Sequence, residues 1–139
     1  MNRVVLDTNV VVSAVLVLSG TQAAVLLLAL TGRIALYVSP PVLAGYEEGL
    51  RRPRLKLQPQ QIDAAMAAMR KVAHLVHPAQ AVSVSPHESG NRFLECAEAA
   101  EADWFVTGNT RHFPQSHGVT KTVTGRRFLD ILAESGNPQ

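Results

Sequence analysis

Short apolar runs alternate with longer amphipathic stretches along the chain. Arg3-Val4-Val5-Leu6 is a β-branched run suited to a strand buried on both faces. Asp7-Thr8-Asn9 ends it, and Thr8 or Asn9 can cap the apolar helix that follows. Thr21 starts a second helix that Gly32 ends, and Ile34 to Val38 reads as a second strand. Ser39 and Pro40 form an N-cap and N1 pair for a third helix running to about Leu50. Pro59 opens an amphipathic helix with Ile62, Met66 and Met69 on one face. A short strand near Leu75-Val76 and a polar loop around Pro86 follow. The helix from about Asn91 to Ala100 turns Phe93, Leu94 and Ala97 inward. Trp104-Phe105-Val106 is another buried strand, ended by Thr107-Gly108-Asn109. A last strand (Lys121 to Val123) and helix (Gly125 to Ala133) close the series, leaving a tail at about 135–139.

Strands that alternate with helices predict an α/β fold: three layers, α/β/α, around a central, mostly parallel sheet. No repeat or linker interrupts the pattern, so residues 1–139 read as a single domain. Ligands in such folds bind beyond the carboxyl ends of the strands. Asp7 and Asn109 are both expected there, although 102 positions separate them.

Composition changes this picture little. Hydrophobic residues make up 47% and charged residues 17%, which excludes a disordered chain. The net charge of +2 neither demands nor excludes nucleic acid. The lone Cys96 excludes an internal disulfide and a multi-cysteine zinc site, and suits a cytoplasmic protein. No charged residue lies between Asp7 and Arg33, a span long enough for a bilayer. Ser19-Gly20-Thr21-Gln22 breaks it with turn and capping residues, and Asp7 falls where a signal sequence should be apolar. Two buried helices and no membrane span are expected.

A carboxylate at the end of an apolar strand is costly unless paired or bound to a metal; Asp7 also suits a plain helix N-cap. Leu6-Asp7-Thr8-Asn9-Val10 resembles the opening of haloacid-dehalogenase-type phosphatases, but Asn9 stands where that family needs a second Asp. A more extensive resemblance runs through four blocks. These are Val4 to Ser13; Val38-Ser39-Pro40-Pro41-Val42-Leu43-Ala44 with Tyr46-Glu47-Glu48 and Arg52-Pro53; Asn91 to Ala97; and Ala102 to Asn109 with His112-Phe113-Pro114 and Arg127-Phe128-Leu129. Together they resemble the PIN-domain family, in its toxin-component branch.

That resemblance implies an endoribonuclease dependent on Mg²⁺ or Mn²⁺, forming one half of a toxin–antitoxin pair. Its expected partners are RNA, a cognate antitoxin protein and a second copy of itself, with the apolar helices after Asp7 available for the dimer. In the family three or four acidic residues gather at the strand ends, as hard cations require. The metal orients a water and stabilises charge growing on the phosphate. Asp7 matches the first acidic position. The second falls on Gly45, the third on Gly90 and the fourth on Asn109, which parts of this branch tolerate. Glu48, one helical turn beyond Gly45, and Glu88, two residues before Gly90, are the available substitutes, each with a solvated surface role as its alternative. The expected metal ligands are thus Asp7, Asn109, Glu48 and Glu88, the first three also serving catalysis, around a weakly bound or absent ion. Losing two ligands at about 1.4–4 kcal/mol each slows the reaction roughly a hundred- to a millionfold.

Asn9, Thr107, Arg51, Arg52 and Arg111 are expected to contact nucleic acid, sequence-blind where they meet phosphate. Arg54, Lys56, Lys121, Arg126 and Arg127 are further basic positions, whose bland role is a solvated loop or helix end. The histidines lack convergent donors, and only His87 neighbours the Gly90 loop. Glu95 and Glu98 read as surface or helix-pairing residues. The competing reading is a catalytically silent PIN-fold protein that binds RNA or a protein partner without cutting.

Overall fold

The computed structural model describes residues 1–135; the expected tail, apart from Ser135, lies outside the described residues. Val4, Val5 and Leu6 of strand β1 (Arg3–Leu6) are wholly buried, as befits a central strand covered on both faces. Its parallel neighbours are β2 (Ala35–Val38) on one side and β4 (Trp104–Val106) on the other. Beyond β2 lies β3 (His74–Leu75), and beyond β4 lie β6 (Thr120–Val123) and the antiparallel β5 (Ser116–His117), giving the order β3-β2-β1-β4-β6-β5. The chain therefore builds outward from β1 in one direction, then crosses over to build in the other. That reversal opens a crevice above the carboxyl ends of β1 and β4.

Six helices complete the expected three-layer α/β/α arrangement. Helix α1 (Thr8–Leu16) packs against α2 (Thr21–Leu30) and α3 (Pro40–Leu50). Helix α5 (Glu88–Ala100) lies on β1, β2 and β4 with Phe93, Leu94 and Ala97 buried, as the sequence indicates. Helix α4 (Pro59–Val72) buries the expected Ile62, Met66 and Met69, while α6 (Gly125–Ser135) packs on α2. No single helix among the described residues is long and apolar enough to cross a membrane; α1 and α2 meet at 101° across the Ser19-Gly20 break.

Two contacts fix α3 over the crevice. Ser39 caps it, its Oγ accepting the Val42 amide at 3.3 Å. Tyr46, fully buried, donates its hydroxyl to the Leu6 carbonyl at 2.6 Å, tying the helix to the last residue of β1. Gly49 lets the helices approach closely, since a Cβ there would stand 2.7 Å from Thr8 Cγ2.

The differences from expectation are local. Helix α5 starts at Glu88 rather than Asn91, because Asn91 looks back to hold the preceding loop instead of capping the helix. Asp7, not Thr8 or Asn9, takes the N-cap position of α1, without a side-chain capping bond. The β5–β6 hairpin carries no apolar alternation to announce it; Gly118, at φ 59°, makes its turn.

Candidate functional site at the ends of β1 and β4

The chain leaves β1 and β4 side by side, with the Asp7 amide bonded to the Val106 carbonyl at 2.9 Å. The next residue of β4's strand line, Thr107, is fully buried and donates its hydroxyl to Asp7 Oδ2 at 2.6 Å. Thr107 Oγ1 in turn accepts the Asn109 amide at 3.0 Å, so one hydroxyl organises both segments. Asp7 is only 6% exposed. Burial pushes its carboxyl above the ordinary aspartate range, opposed by the Thr107 hydroxyl, the amides of Asn9 and Thr8, and the charge of His112.

Two cavities meet at Asp7. The smaller, about 220 Å³, is lined by Asp7, Asn9, His87, Ser89, Gly90, Phe93, Asn109, His112 and Phe113. Asp7 and Asn109, distant in sequence, thus share one recess. The larger, about 550 Å³, joins Asp7, Thr8 and Asn9 to Gly45, Glu48 and Arg52 of the α3 region and to Ser89 and Arg92 of α5. Arg52 brings positive charge to a cavity that also holds Asp7 and the exposed Glu48, whereas Arg92, which lines it too, is paired with Glu88 and Glu95.

Several expected roles change. Thr107 is too deeply buried to contact nucleic acid; its hydroxyl is committed to orienting Asp7. Glu88 lines neither cavity, because Arg92 at 2.5 Å and Asn91 at 3.3 Å hold its carboxylate. Arg51 is engaged by Glu47 at 3.0 Å and Asp63 at 2.9 Å and lines neither cavity, whereas its neighbour Arg52 does line one. Glu95 is buried rather than superficial: it accepts the Val82 amide at 2.9 Å and pairs with Arg92. Arg111 lies beside Asn109 on a neighbouring recess. Ser89, Arg92 and Phe113 belong to the site although sequence reasoning assigned them no part in it. Nothing in their spacing marks them, since the folding of α5 against the Thr110–His112 turn brings them in.

The surrounding loop is well anchored. Asn91, 1% exposed, accepts the Ser85 amide at 2.8 Å, and Ser85 Oγ donates to the His112 carbonyl at 2.9 Å. The His87 ring consequently rests 4.5 Å from that of His112.

The residues present do not fit a resident divalent cation. No group of three or more His, Cys, Asp or Glu among the described residues is placed to hold one. The two glycines at expected acidic positions differ in kind. A Cβ at Gly45 would meet only Thr8 Oγ1, at 3.5 Å, so the space a side chain needs is open. A Cβ at Gly90 would stand 2.9 Å from Phe113 Cε1, 3.0 Å from Cζ and 3.1 Å from Ser85 Oγ. Phe113, packed edge-on against Phe105 at 4.7 Å, fills the space that a side chain at position 90 would need.

A family model described as PIN domain matches residues 3–111 of the chain, which include every residue of the two cavities except His112 and Phe113. No curated protein matches it.

Proposed function

The chain belongs to the PIN-domain family, whose members are generally nucleases acting on RNA, and from that premise we propose an RNA-directed protein of the toxin–antitoxin kind whose hydrolytic centre is reduced to one deeply held carboxylate. The observation that carries this reading is the shared recess of Asp7 and Asn109, continuous through Asp7 with a cavity bearing Arg52 and Arg92. Amide and hydroxyl groups of Asn9, Ser89 and Asn109 suit sugar and phosphate oxygens, and the Arg52 guanidinium suits phosphate charge.

PIN domains typically use divalent metal ions, but this donor set gives Mg²⁺ or Mn²⁺ too few oxygens, so no step is assigned to an ion. Asp7, held by Thr107, can accept a proton from a water in the recess, and burial makes it a better base. Without a cation its negative charge also repels the phosphate it faces. Cleavage therefore runs at least about a hundredfold below that of a full carboxylate set, and binding outlasts hydrolysis.

A second reading has one observation in its favour: Glu48 lines the same cavity as Asp7, so it can serve as the missing second carboxylate of an active, metal-dependent enzyme. Labelled single-stranded RNA, followed by anisotropy for binding and by gel for cleavage with and without Mn²⁺, decides between them. Binding with little or no Mn²⁺-stimulated cleavage supports the first reading. Rapid Mn²⁺-dependent cleavage, lost in both Asp7→Ala and Glu48→Gln, establishes the second.

The remaining parts of the proposal concern partners and place. A cognate antitoxin would approach the same cavity and meet Arg52 with an acidic side chain. Leu16, Val17, Leu18 and Leu27, all exposed around the α1–α2 corner, suit a homodimer contact. Residues 1–139 act as one domain in the cytoplasm, where the lone Cys96 stays reduced.

A further inference from the structure

One large groove is separate from Asp7. It measures about 850 Å³ and lies among β4, β5, β6 and α6, with Trp104, Val123 and Ile131 among its apolar lining. Arg111, Lys121 and Arg127 are its charged residues, and no acid lines it. Among the described residues Arg111 and Lys121 have no acidic partner; Arg127 has only an exposed contact with Glu134 at 3.6 Å, which water and salt weaken. In the basic connector after α3, by contrast, Glu47 and Asp63 neutralise Arg51.

This groove is continuous with the site. Arg111 lines both the groove and a recess of about 350 Å³ beside Gly108–His112, and Asn109 and His112 line both that recess and the Asp7 cavity. We propose that a single-stranded RNA seated at Asp7 and Asn109 continues over the Thr110–His112 turn into this groove, where Arg111, Lys121 and Arg127 hold its phosphates and Trp104 offers a stacking surface to a base. The proposal rests on the RNA-directed reading above and adds where the strand leaves the site. Cations beside an aromatic surface are what a sequence-tolerant single-strand track requires. Thr110, Gln115, Ser116, Thr122 and Thr124 add neutral hydrogen-bonding groups along the walls. An acidic peptide could use the cations, but has no comparable use for the path to Asp7 or for Trp104.

The test compares the parent with Lys121→Ala/Arg127→Ala, two exposed positions outside the Asp7 cavities. Exposed Arg33→Ala serves as the charge control. Binding is measured by anisotropy on a three-nucleotide and a twelve-nucleotide RNA across a salt series, with circular dichroism confirming the fold. The double variant is expected to weaken the longer RNA by about tenfold at low salt and to lower its salt slope by about 1.4, two phosphate contacts at about 0.7 each. Binding of the short RNA and of Arg33→Ala stays at parent strength. Unchanged affinity and slope for the longer RNA in a parent that binds both lengths overturn the groove alone. Failure of the parent to bind either RNA sinks the underlying reading with it. Tight binding of polyglutamate, but not RNA, that depends on Lys121 and Arg127 reassigns the groove to an acidic protein partner.

Discussion

Gly45 and Gly90 occupy the two positions where the family resemblance leads one to expect an acid, yet introducing a carboxylate has different consequences at the two. Gly45→Glu places its Cβ 3.5 Å from Thr8 Oγ1, an ordinary contact. It also removes a glycine from the interior of α3, worth about 0.5–1 kcal/mol relative to alanine. Repulsion from Asp7 and Glu48 costs a few tenths to about 1 kcal/mol, so the net change is about zero. Gly90→Asp instead drives its Cβ to 2.9 Å from the Phe113 ring, which cannot retreat freely because Phe105 packs against it. Overpacking of this kind costs about 1–3 kcal/mol, offset by about 0.3–1 kcal/mol for an acid in the first turn of α5. Urea denaturation should find Gly90→Asp less stable than Gly45→Glu by about 1–2 kcal/mol. The penalty at position 90 should shrink in a Phe113→Leu background, since the two side chains compete for one space. Equal stability of the two variants, or no coupling to Phe113, refutes the claim that the phenyl ring fills the space a carboxylate at position 90 would need. A third measurement links structure to chemistry: Gly45→Glu should gain a Mn²⁺-dependent rise in melting temperature that the parent lacks.

Asp7 gives a pH test. Its folded pKa lies above the ordinary value of 3.8, so between that value and the folded pKa the native state holds more protons than the unfolded chain, and stability falls as pH rises through this window. Asp7→Asn should flatten that decline and be more stable than the parent at pH 7; denaturant midpoints from pH 3 to 7 check it, and a steeper decline in the variant contradicts it. Tyr46→Phe strips the Leu6 carbonyl of its partner and should cost about 1–3 kcal/mol by denaturant melt. Arg52→Ala should weaken RNA severalfold in anisotropy while Arg51→Ala, already neutralised by Glu47 and Asp63, changes it less than twofold. Cys96 should resist thiol reagents in the folded state and react on unfolding, because burial pushes its thiol up to about 12 and keeps the nucleophilic thiolate scarce.

The alternation of apolar runs was sufficient to read the centre of the sheet, since Val4, Val5, Leu6, Phe105 and Val106 are all wholly buried. The meeting of Asp7 with Asn109 followed from the rule that chain ends of parallel strands converge. What escaped was set by side chains answering to tertiary neighbours. Thr107 looked like a polar tip but is a buried donor to Asp7. Glu88 looked inward-capable until Arg92 and Asn91 claimed it. Glu95 read as a surface or helix-pairing acid; it does pair with Arg92 along α5, but a loop amide, Val82, also draws it into the interior. Phe113 carries no sign in the sequence that it fills the space above Gly90; only the folded turn at Thr110–His112 brings it there.

The sheet stops at each margin on a strand of two residues, β3 on one side and β5 on the other. Stubs that short offer an incoming strand almost no ladder to extend. Any partner of this protein must therefore meet helices and loops rather than add to the sheet, which spares the chain the runaway stacking that longer open margins invite.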